Sequence, residues 1–337
     1  MNPLELLGHD FMQRALLAAL FTGLAAPAIG TFLVQRRLAL LGDGIGHVAV
    51  TGVAIGLLTG TSPVWTAVVV AILGAVAIEV IRELGHTNGD VALALLFYGG
   101  LAGGVLITGL AGQGANKLHA YLFGSITSLS DADVWFTIGL GVVIVAITLG
   151  LLPQLFAVAS DPEFAKVAGL RVRGYNLLVA VLAAVTVTVA MRTVGLLLVS
   201  ALMVVPVATS QQLAGSFRST LAGAMGVGGL AAVGGLLVAA SFPVGITVAP
   251  GPAIVLLALA MFASTWPIGV WLRHRRRVRA PFPAVPDDGL DHHVTENQHT
   301  HEHGEDCGHP AVKHGDHVDY VHDGHRHAVH GEHYDEH

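Results

Sequence analysis

The sequence predicts an all-α integral membrane protein, a polytopic helical bundle of about nine transmembrane helices followed by a disordered histidine-rich tail. Two features of the composition lead to this prediction: of 337 residues, 53% are hydrophobic and only 12% are charged. An ordinary soluble domain carries about a quarter charged residues. A chain with so few charges cannot cover its surface with polar groups, which excludes a water-soluble globule.

The charges are distributed unevenly along the chain. Residues 1–272 contain ten basic and ten acidic side chains, whereas residues 273–337 contain seven basic and thirteen acidic ones. The whole net charge of −6 therefore belongs to the last 65 residues. This division indicates a transmembrane domain over residues 1–272 and a solvated tail over residues 273–337.

The predicted helices follow from the thickness of a bilayer. About 20 apolar residues cross its hydrocarbon core at 1.5 Å per residue. Eight segments satisfy this within a few residues at each end: Phe11–Gln35, Ser62–Ile81, Asp90–Leu110, Ala132–Leu152, Tyr175–Met191, Thr193–Gln211, Thr220–Ser241 and Pro250–Leu272. A ninth, Gly44–Leu58, is shorter and rich in glycine, so eight crossings remain if it is re-entrant.

Arginine placement predicts the orientation. With nine crossings, nearly all cationic loops fall on one side of the membrane, namely Arg36–Arg37, Arg82, Lys166–Arg173, Arg218 and Arg273–Arg279. Cytoplasmic loops carry the excess of Lys and Arg. We therefore expect a multi-pass protein of the cell membrane with its N-terminus outside and its tail in the cytoplasm.

The most informative polar residues are Asp43 and His47. In a helix they lie at positions i and i+4 and project from one face. Ionisable groups within a membrane are costly and mark functional sites. A carboxylate and an imidazole suit a divalent ion such as Zn²⁺ or Mn²⁺. Spacing alone leaves open the alternative that the two side chains hydrogen-bond each other and fix a helix contact.

Other polar residues of the bundle favour structural roles. Glu79 is three residues from Arg82, and this spacing favours an interface ion pair over a metal ligand. We expect Ser200, Thr209 and Ser210 to hydrogen-bond helix backbones.

The segment 160–170 predicts a short helix between two transmembrane helices. Ser160 or Asp161 can cap it, Pro162 suits its first turn, and Gly169 can end it. Its amphipathic sequence offers Phe164 to water. The segment therefore needs a surface on which to dock, either a partner protein or its own bundle.

The chain lacks the sequence motif of an ATP-binding protein. It has three lysines, and none of them follows a glycine, so the Gly-Lys-Ser/Thr of a phosphate-binding loop is absent. We therefore expect a transporter subunit rather than an enzyme, and any ATP-driven step requires another polypeptide. Nothing in the sequence indicates a nucleic-acid partner.

Residues 10–272 resemble the integral membrane permeases of zinc/manganese ABC importers. The similarity lies in Arg37-Leu-Ala-Leu-Leu-Gly-Asp43-Gly-Ile-Gly-His47-Val-Ala-Val-Thr-Gly52 and in the stretches Leu118–Ile126, Asp161–Gly169, Val194–Pro206 and Pro250–Ile254. It implies a homodimer in the lipid bilayer, a cytoplasmic ABC ATPase and an extracellular metal-binding protein. It also implies that Asp43 and His47 lie on the translocation path. The segment containing Asp161, Glu163, Phe164, Ala165 and Gly169 matches the coupling helix that contacts the ATPase.

The signature departs from the family pattern at two positions. The family usually has Ser before the His and Pro later, whereas this chain has Gly46 and Thr51. We therefore expect the helix after His47 to break differently.

The tail lies outside the resemblance and contains 14 histidines in residues 281–337. The spacing of His299, His301 and His303, and of His325 and His327, suits Zn²⁺, Ni²⁺ or Cu²⁺ at low affinity. A dispensable histidine tract is the alternative. Low hydrophobicity predicts that the tail is disordered.

Together these features predict the permease subunit of an ATP-driven importer, with Zn²⁺ before Mn²⁺ as transported substrate and no permanent cofactor. Two alternatives remain at this stage: a secondary metal transporter coupled to protons or sodium, and a membrane metal sensor that uses its tail.

Overall fold

The computed structural model describes residues 9–83, 89–110, 130–241, 249–279, 307–314, 317–322, 325–330 and 333–336, with the single residues 112, 122 and 124. These ranges contain eleven helices: α1 Asp10–Gln35, α2 Leu41–Thr59, α3 Pro63–Glu83, α4 Gly89–Leu110, α5 Asp131–Gly150, α6 Leu152–Ser160, α7 Pro162–Val167, α8 Val172–Val194, α9 Leu196–Leu213, α10 Phe217–Ala240 and α11 Pro250–Arg279.

The helical multi-pass architecture is confirmed. Within the described residues, eight helices are long and apolar enough to cross a membrane, and α9 contributes a shorter apolar helix, Leu198–Leu213. The ninth crossing counted from the sequence, Gly44–Leu58, forms a continuous helix, which supports a crossing over the re-entrant alternative. Helix α2 extends over 19 residues, from Leu41 to Thr59, and is itself long and apolar enough to cross.

The glycines of α2 are packing positions rather than breaks. A Cβ atom on Gly52 would lie 2.6 Å from the Cα of Ala67, and one on Gly46 would collide with the Leu196 side chain. These contacts hold the backbone of α2 against α3 and α9, which offsets the low helix propensity of glycine. The helix ends where Gly60 adopts the left-handed conformation, with φ of +70°.

Helices α2 and α4 pack backbone to backbone. A Cβ atom on Gly100 would lie 2.6 Å from the amide nitrogen of Val48, and one on Gly104 would lie 2.9 Å from Val50 Cγ1. The hydroxyl of Thr51 donates a hydrogen bond to the carbonyl oxygen of Gly100 at 2.6 Å. This close approach brings α4 directly against the part of α2 that contains His47.

The chain divides into two compact units, residues 1–266 and residues 267–337. In the second unit, the described tail residues form an antiparallel sheet in the order β1-β2-β3-β4, with strands β1 Ala311–His314, β2 His317–His322, β3 His325–His330 and β4 His333–Glu336. The sequence predicts a tail without regular structure, so this part of the tail differs from the expectation.

The difference has a local cause. Successive strands are separated by two residues each, and the sequence at these positions reads Gly315-Asp316, Asp323-Gly324 and Gly331-Glu332. A glycine in a two-residue connection is a strong hairpin signal. Composition shows that the tail cannot bury a large core, but hairpins are stabilised by turn chemistry and cross-strand pairs, which the overall composition does not reveal.

Candidate functional site

The structure places Asp43 and His47 one turn apart on α2. Asp43 lies in the first turn of the helix, where free backbone N–H groups favour a carboxylate. His47 Nε2 lies 3.9 Å from Asp43 Oδ1. A hydrogen bond requires a shorter distance, so the two side chains do not bond each other. The direct hydrogen bond of the structural alternative is absent, and the two atoms lie at ion-pair distance.

Ser200 of α9 completes the group. Its hydroxyl donates to Asp43 Oδ1 at 3.1 Å, and the carbonyl oxygen of Leu196 lies 3.4 Å away. The expected bond of Ser200 to its own helix backbone is present, and the shorter bond to Asp43 is an additional contact that the sequence does not predict. No local spacing predicts this contact, because the partners are 157 residues apart in the chain.

The imidazole of His47 is held in a narrow space. The residue is only 7% exposed, and the ring of Phe97 from α4 meets it edge-on with the ring centroids 4.3 Å apart. Its Nδ1 is buried and has no hydrogen-bond partner among the described residues. The side chain of Asp43 is 28% exposed, so the pair has one buried and one accessible member.

This arrangement can offer a cation a few ligands of mixed type. The nitrogen of His47 and the carboxylate oxygen of Asp43 are 3.9 Å apart. Zinc bonds to nitrogen and oxygen are about 2.0–2.2 Å long, so one ion placed between the two atoms can touch both. A closed structural zinc site has four protein ligands. A carboxylate, one imidazole and a neighbouring hydroxyl form a weaker and more open set.

The signature departures at positions 46 and 51 do not break α2. Gly46 leaves room for Leu196 at the start of α9, and Thr51 bonds the backbone of α4. The expectation of a differently broken helix after His47 is therefore wrong. Both residues instead set the distance of α2 from its neighbours.

Glu79 is a structural residue, as the sequence indicates. It is 2% exposed, and its carboxylate accepts from Arg36 Nη2 at 2.8 Å and from Arg82 Nη1 at 2.9 Å. The bond to Arg82 is the predicted pair. The bond to Arg36 joins α3 to the residue that follows α1. Thr209 and Ser210 accordingly bond backbone carbonyls, those of Val205 and Thr220.

The segment around Phe164 forms the predicted short helix, α7. The carboxylate of Asp161 accepts from the amide of Phe164 at 2.9 Å, and Gly169 has φ of +84° just past the helix end. Phe164 is 65% exposed and Val167 is 87% exposed, whereas Ala165 is fully buried. Glu163 is also exposed. The helix thus anchors on one face and presents apolar side chains on the other.

The tail histidines lie apart in the chain from these elements. His299, His301 and His303 lie outside the described residues. His325 and His327 lie on strand β3, and His327 is 5% exposed.

Comparison with known proteins places the bundle among transport proteins. The sequence model of the ABC 3 transport family matches residues 8–267. The manganese import system permease protein ScaB of Streptococcus parasanguinis is 33% identical over 252 residues, which cover 75% of this chain and 88% of that protein. The high-affinity zinc uptake system membrane protein ZnuB of Haemophilus influenzae is 30% identical over 254 residues, which cover 75% and 95%.

A solved structure shares the fold. PsaBC from Streptococcus pneumoniae in complex with Fab contains a chain with 31% sequence identity and a TM-score of 0.72. The alignment covers 81% of this chain and 98% of that chain. The family match ends at residue 267, before the histidine-rich tail begins.

Proposed function

The chain belongs to the ABC 3 transport family, and on this basis we propose that it is the transmembrane permease subunit of an ATP-driven importer of a divalent transition metal. The observation that carries the proposal is the group of Asp43, His47 and Ser200 within the helical bundle. Asp43 and His47 offer an oxygen and a nitrogen ligand that are not hydrogen-bonded to each other, and Ser200 holds the carboxylate. The relatives named as manganese and zinc permeases support the same class of cargo.

The ligand set suits passage better than storage. A cation would exchange part of its hydration shell for Asp43 and His47 and leave again, because too few protein ligands surround it to hold it tightly. The Ser200 hydroxyl positions the carboxylate through its hydrogen bond. The cation leaves the subunit chemically unchanged, and the chain performs no covalent step.

The energy for the cycle would come from a cytoplasmic ABC ATPase. Helix α7 is the coupling element in this proposal, because its exposed Phe164 and Val167 need an apolar partner surface. Closure of the ATPase would push on residues 161–169 and open the path inward. We place the N-terminus and the substrate-binding protein outside, the tail in the cytoplasm, and a second copy of the chain beside the first.

Zinc is the first candidate cargo and manganese the second. One imidazole and one carboxylate accept either ion, and relatives named for each metal are similar to this chain. The histidines of the tail favour zinc, because Mn²⁺ stands lowest in the order of affinities for such ligands. Competition between the two ions for uptake decides between them.

A proton-coupled secondary transporter would need an ionisable carrier inside the bundle. Glu79, a candidate from the sequence, is engaged by Arg36 and Arg82. A carboxylate bonded to two guanidinium groups is occupied by structural contacts between α3 and the residue that follows α1. This arrangement supports an ATP-driven cycle over the secondary one.

Uptake into vesicles tests the proposal. Right-side-out membrane vesicles that contain the complete transport system are loaded with ATP, and the uptake of radioactive zinc and manganese is measured. We expect uptake to continue when an uncoupler collapses the proton gradient and to stop when a non-hydrolysable ATP analogue replaces ATP. Uptake that stops with the uncoupler while ATP is present would overturn the proposal.

Phe164→Asp tests the role of α7. A charge in place of the exposed ring should abolish copurification of the ATPase, because the apolar contact is lost, while the bundle keeps its fold. Phe164→Leu retains an apolar side chain and is the matched control. If the Asp variant still copurifies with the ATPase at the wild-type ratio, α7 is not the coupling helix.

A further inference from the structure

The histidines of the tail sheet recur at the ends of its strands. A histidine ends one strand and another begins the next at each two-residue connection. These pairs are direct partners in the strand register: His314 with His317, His322 with His325, and His330 with His333. Each pair is repeated after eight residues. The pairs therefore belong to the architecture of the sheet and are not scattered at random along a tract.

A third candidate ligand follows each histidine pair at a constant distance along the sequence. Two residues beyond the second histidine of each hairpin stand Asp319, His327 and Asp335. Residues two apart in a strand lie on the same face of a sheet. Every hairpin thus places two histidines and one further metal-binding residue on one face, in the pattern His-x-x-His-x-Asp/His.

The strand register of the first hairpin fixes the distances between the backbone positions of its three candidate ligands. His314 lies opposite His317, and Val312 lies opposite Asp319. Directly opposite residues have Cβ atoms about 4.5–5.5 Å apart, and diagonal neighbours about 7–8 Å. His314, His317 and Asp319 therefore occupy neighbouring positions on one face of this hairpin.

The third hairpin reproduces the first one 16 positions later in the chain. His330 lies opposite His333, and Ala328 lies opposite Asp335. The middle hairpin differs, because His322, His325 and His327 form an all-histidine set. Its set lies on the opposite face, since His322 stands five positions after His317 along β2 and strand residues alternate between faces.

Two of the three third positions are shielded from water. Asp319 is fully buried, and His327 is 5% exposed. A metal ion held there would meet little competition from solvent for these ligands. Imidazole together with carboxylate is a preferred donor set for Zn²⁺.

From this register we infer that each of the three hairpins binds one borderline divalent cation, with Zn²⁺ as the preferred ion. Two sites have two histidines and one aspartate, and the middle site has three histidines. The inference regroups His325 and His327 with His322, in place of the simple His-x-His pairs that the sequence suggests. It stands independently of the proposed transport function, because it concerns retention of metal by the tail.

Single substitutions in the full-length chain test the three sites. The chain is purified in detergent with Asp43→Asn in the background, so that the bundle site does not contribute, and zinc retained against a chelator is counted. We expect His317→Gln, His325→Gln and His333→Gln each to remove one bound zinc ion per chain. His9→Gln, at an exposed position just before α1, is the matched control and should remove none. An equal loss in the control, or no loss in any variant, would overturn the inference.

A second variant separates the sheet from the mere presence of histidines. Ala328→Pro interrupts β3, which pairs with strands on both sides, and proline cannot donate to the ladder. All histidines remain in this variant. We expect it to lose the bound zinc, whereas Thr295→Pro, outside the sheet, keeps it. Unchanged zinc retention in Ala328→Pro would show that an unstructured tract binds the metal, and the inference would fail.

Discussion

The bundle and the tail assemble candidate metal ligands in opposite ways. In the bundle, one carboxylate, one imidazole and one hydroxyl come from α2 and α9, and Ser200 is 157 residues from Asp43 in the chain. In the tail, potential ligands lie within six consecutive residues and are repeated with each hairpin. The first group depends on long-range packing, and the second depends on a local turn.

The difference has a functional meaning. Sparse ligands on two separate helices can part when the helices move, which suits release of a travelling ion. Ligands on paired strands of one small sheet keep their spacing when the helices of the bundle move. We expect metal to pass through the first group and to remain on the second.

Among the substitutions that keep both Asp43 and His47, Gly46→Ser should lower the rate of metal uptake most. Its Cβ atom would collide with Leu196 and push α2 away from α9, which separates Asp43 from Ser200. Overpacking costs about 1–3 kcal/mol, and we expect the uptake rate to fall roughly tenfold. Zinc retention by the tail should not change.

Two further variants test this explanation of Gly46. Leu196→Ala opens space and should restore uptake in the Gly46→Ser background, as coupled neighbours do. Gly139→Ser on α5 is the matched control, because a Cβ atom there meets no atom within 4 Å. If Gly46→Ser transports at the wild-type rate, the spacing of α2 and α9 does not govern the site.

Ser200→Ala should have a smaller effect. It removes one hydrogen bond to Asp43, worth about 1 kcal/mol, so uptake should fall roughly fivefold at low metal concentration. Ser264→Ala is the control, since that hydroxyl donates to the carbonyl of Met261 in its own helix. Equal uptake by the two variants would remove Ser200 from the site.

Deletion of residues 281–337 should have the smallest effect on uptake. The family match ends at residue 267, and the Asp43 group lies within the bundle, so the initial rate should equal that of the full chain. The same deletion should remove the zinc retained by the tail. Complete loss of uptake would instead favour the metal-sensor alternative.

The sequence predicts the bundle well because membrane helices follow from length and hydrophobicity. It also predicts α7, since Asp161, Pro162 and Gly169 are local signals of helix ends. It leaves α2 open, because its glycine density allows a re-entrant piece as well as a crossing. Those glycines are packing contacts with Ala67 and Leu196, and a contact with a distant helix leaves no local pattern.

The site is predicted only in part for the same reason. The i,i+4 spacing of Asp43 and His47 places both on one face, but it cannot reveal Ser200 or the ring of Phe97. The prediction for the tail fails for a different reason. Its low hydrophobicity predicts disorder, whereas the glycine in each short turn and the eight-residue repeat specify hairpins independently of a core.

One pair of substitutions tests most directly the claim that transported metal passes the Asp43 group and does not depend on the tail. His47→Ala and His325→Ala make the same chemical change in the two regions, and ATP-dependent zinc uptake into vesicles is measured for both. We expect His47→Ala to lower uptake roughly 100-fold, the upper range for perturbing a metal site, and His325→Ala to leave it unchanged. Wild-type uptake by His47→Ala would contradict the account.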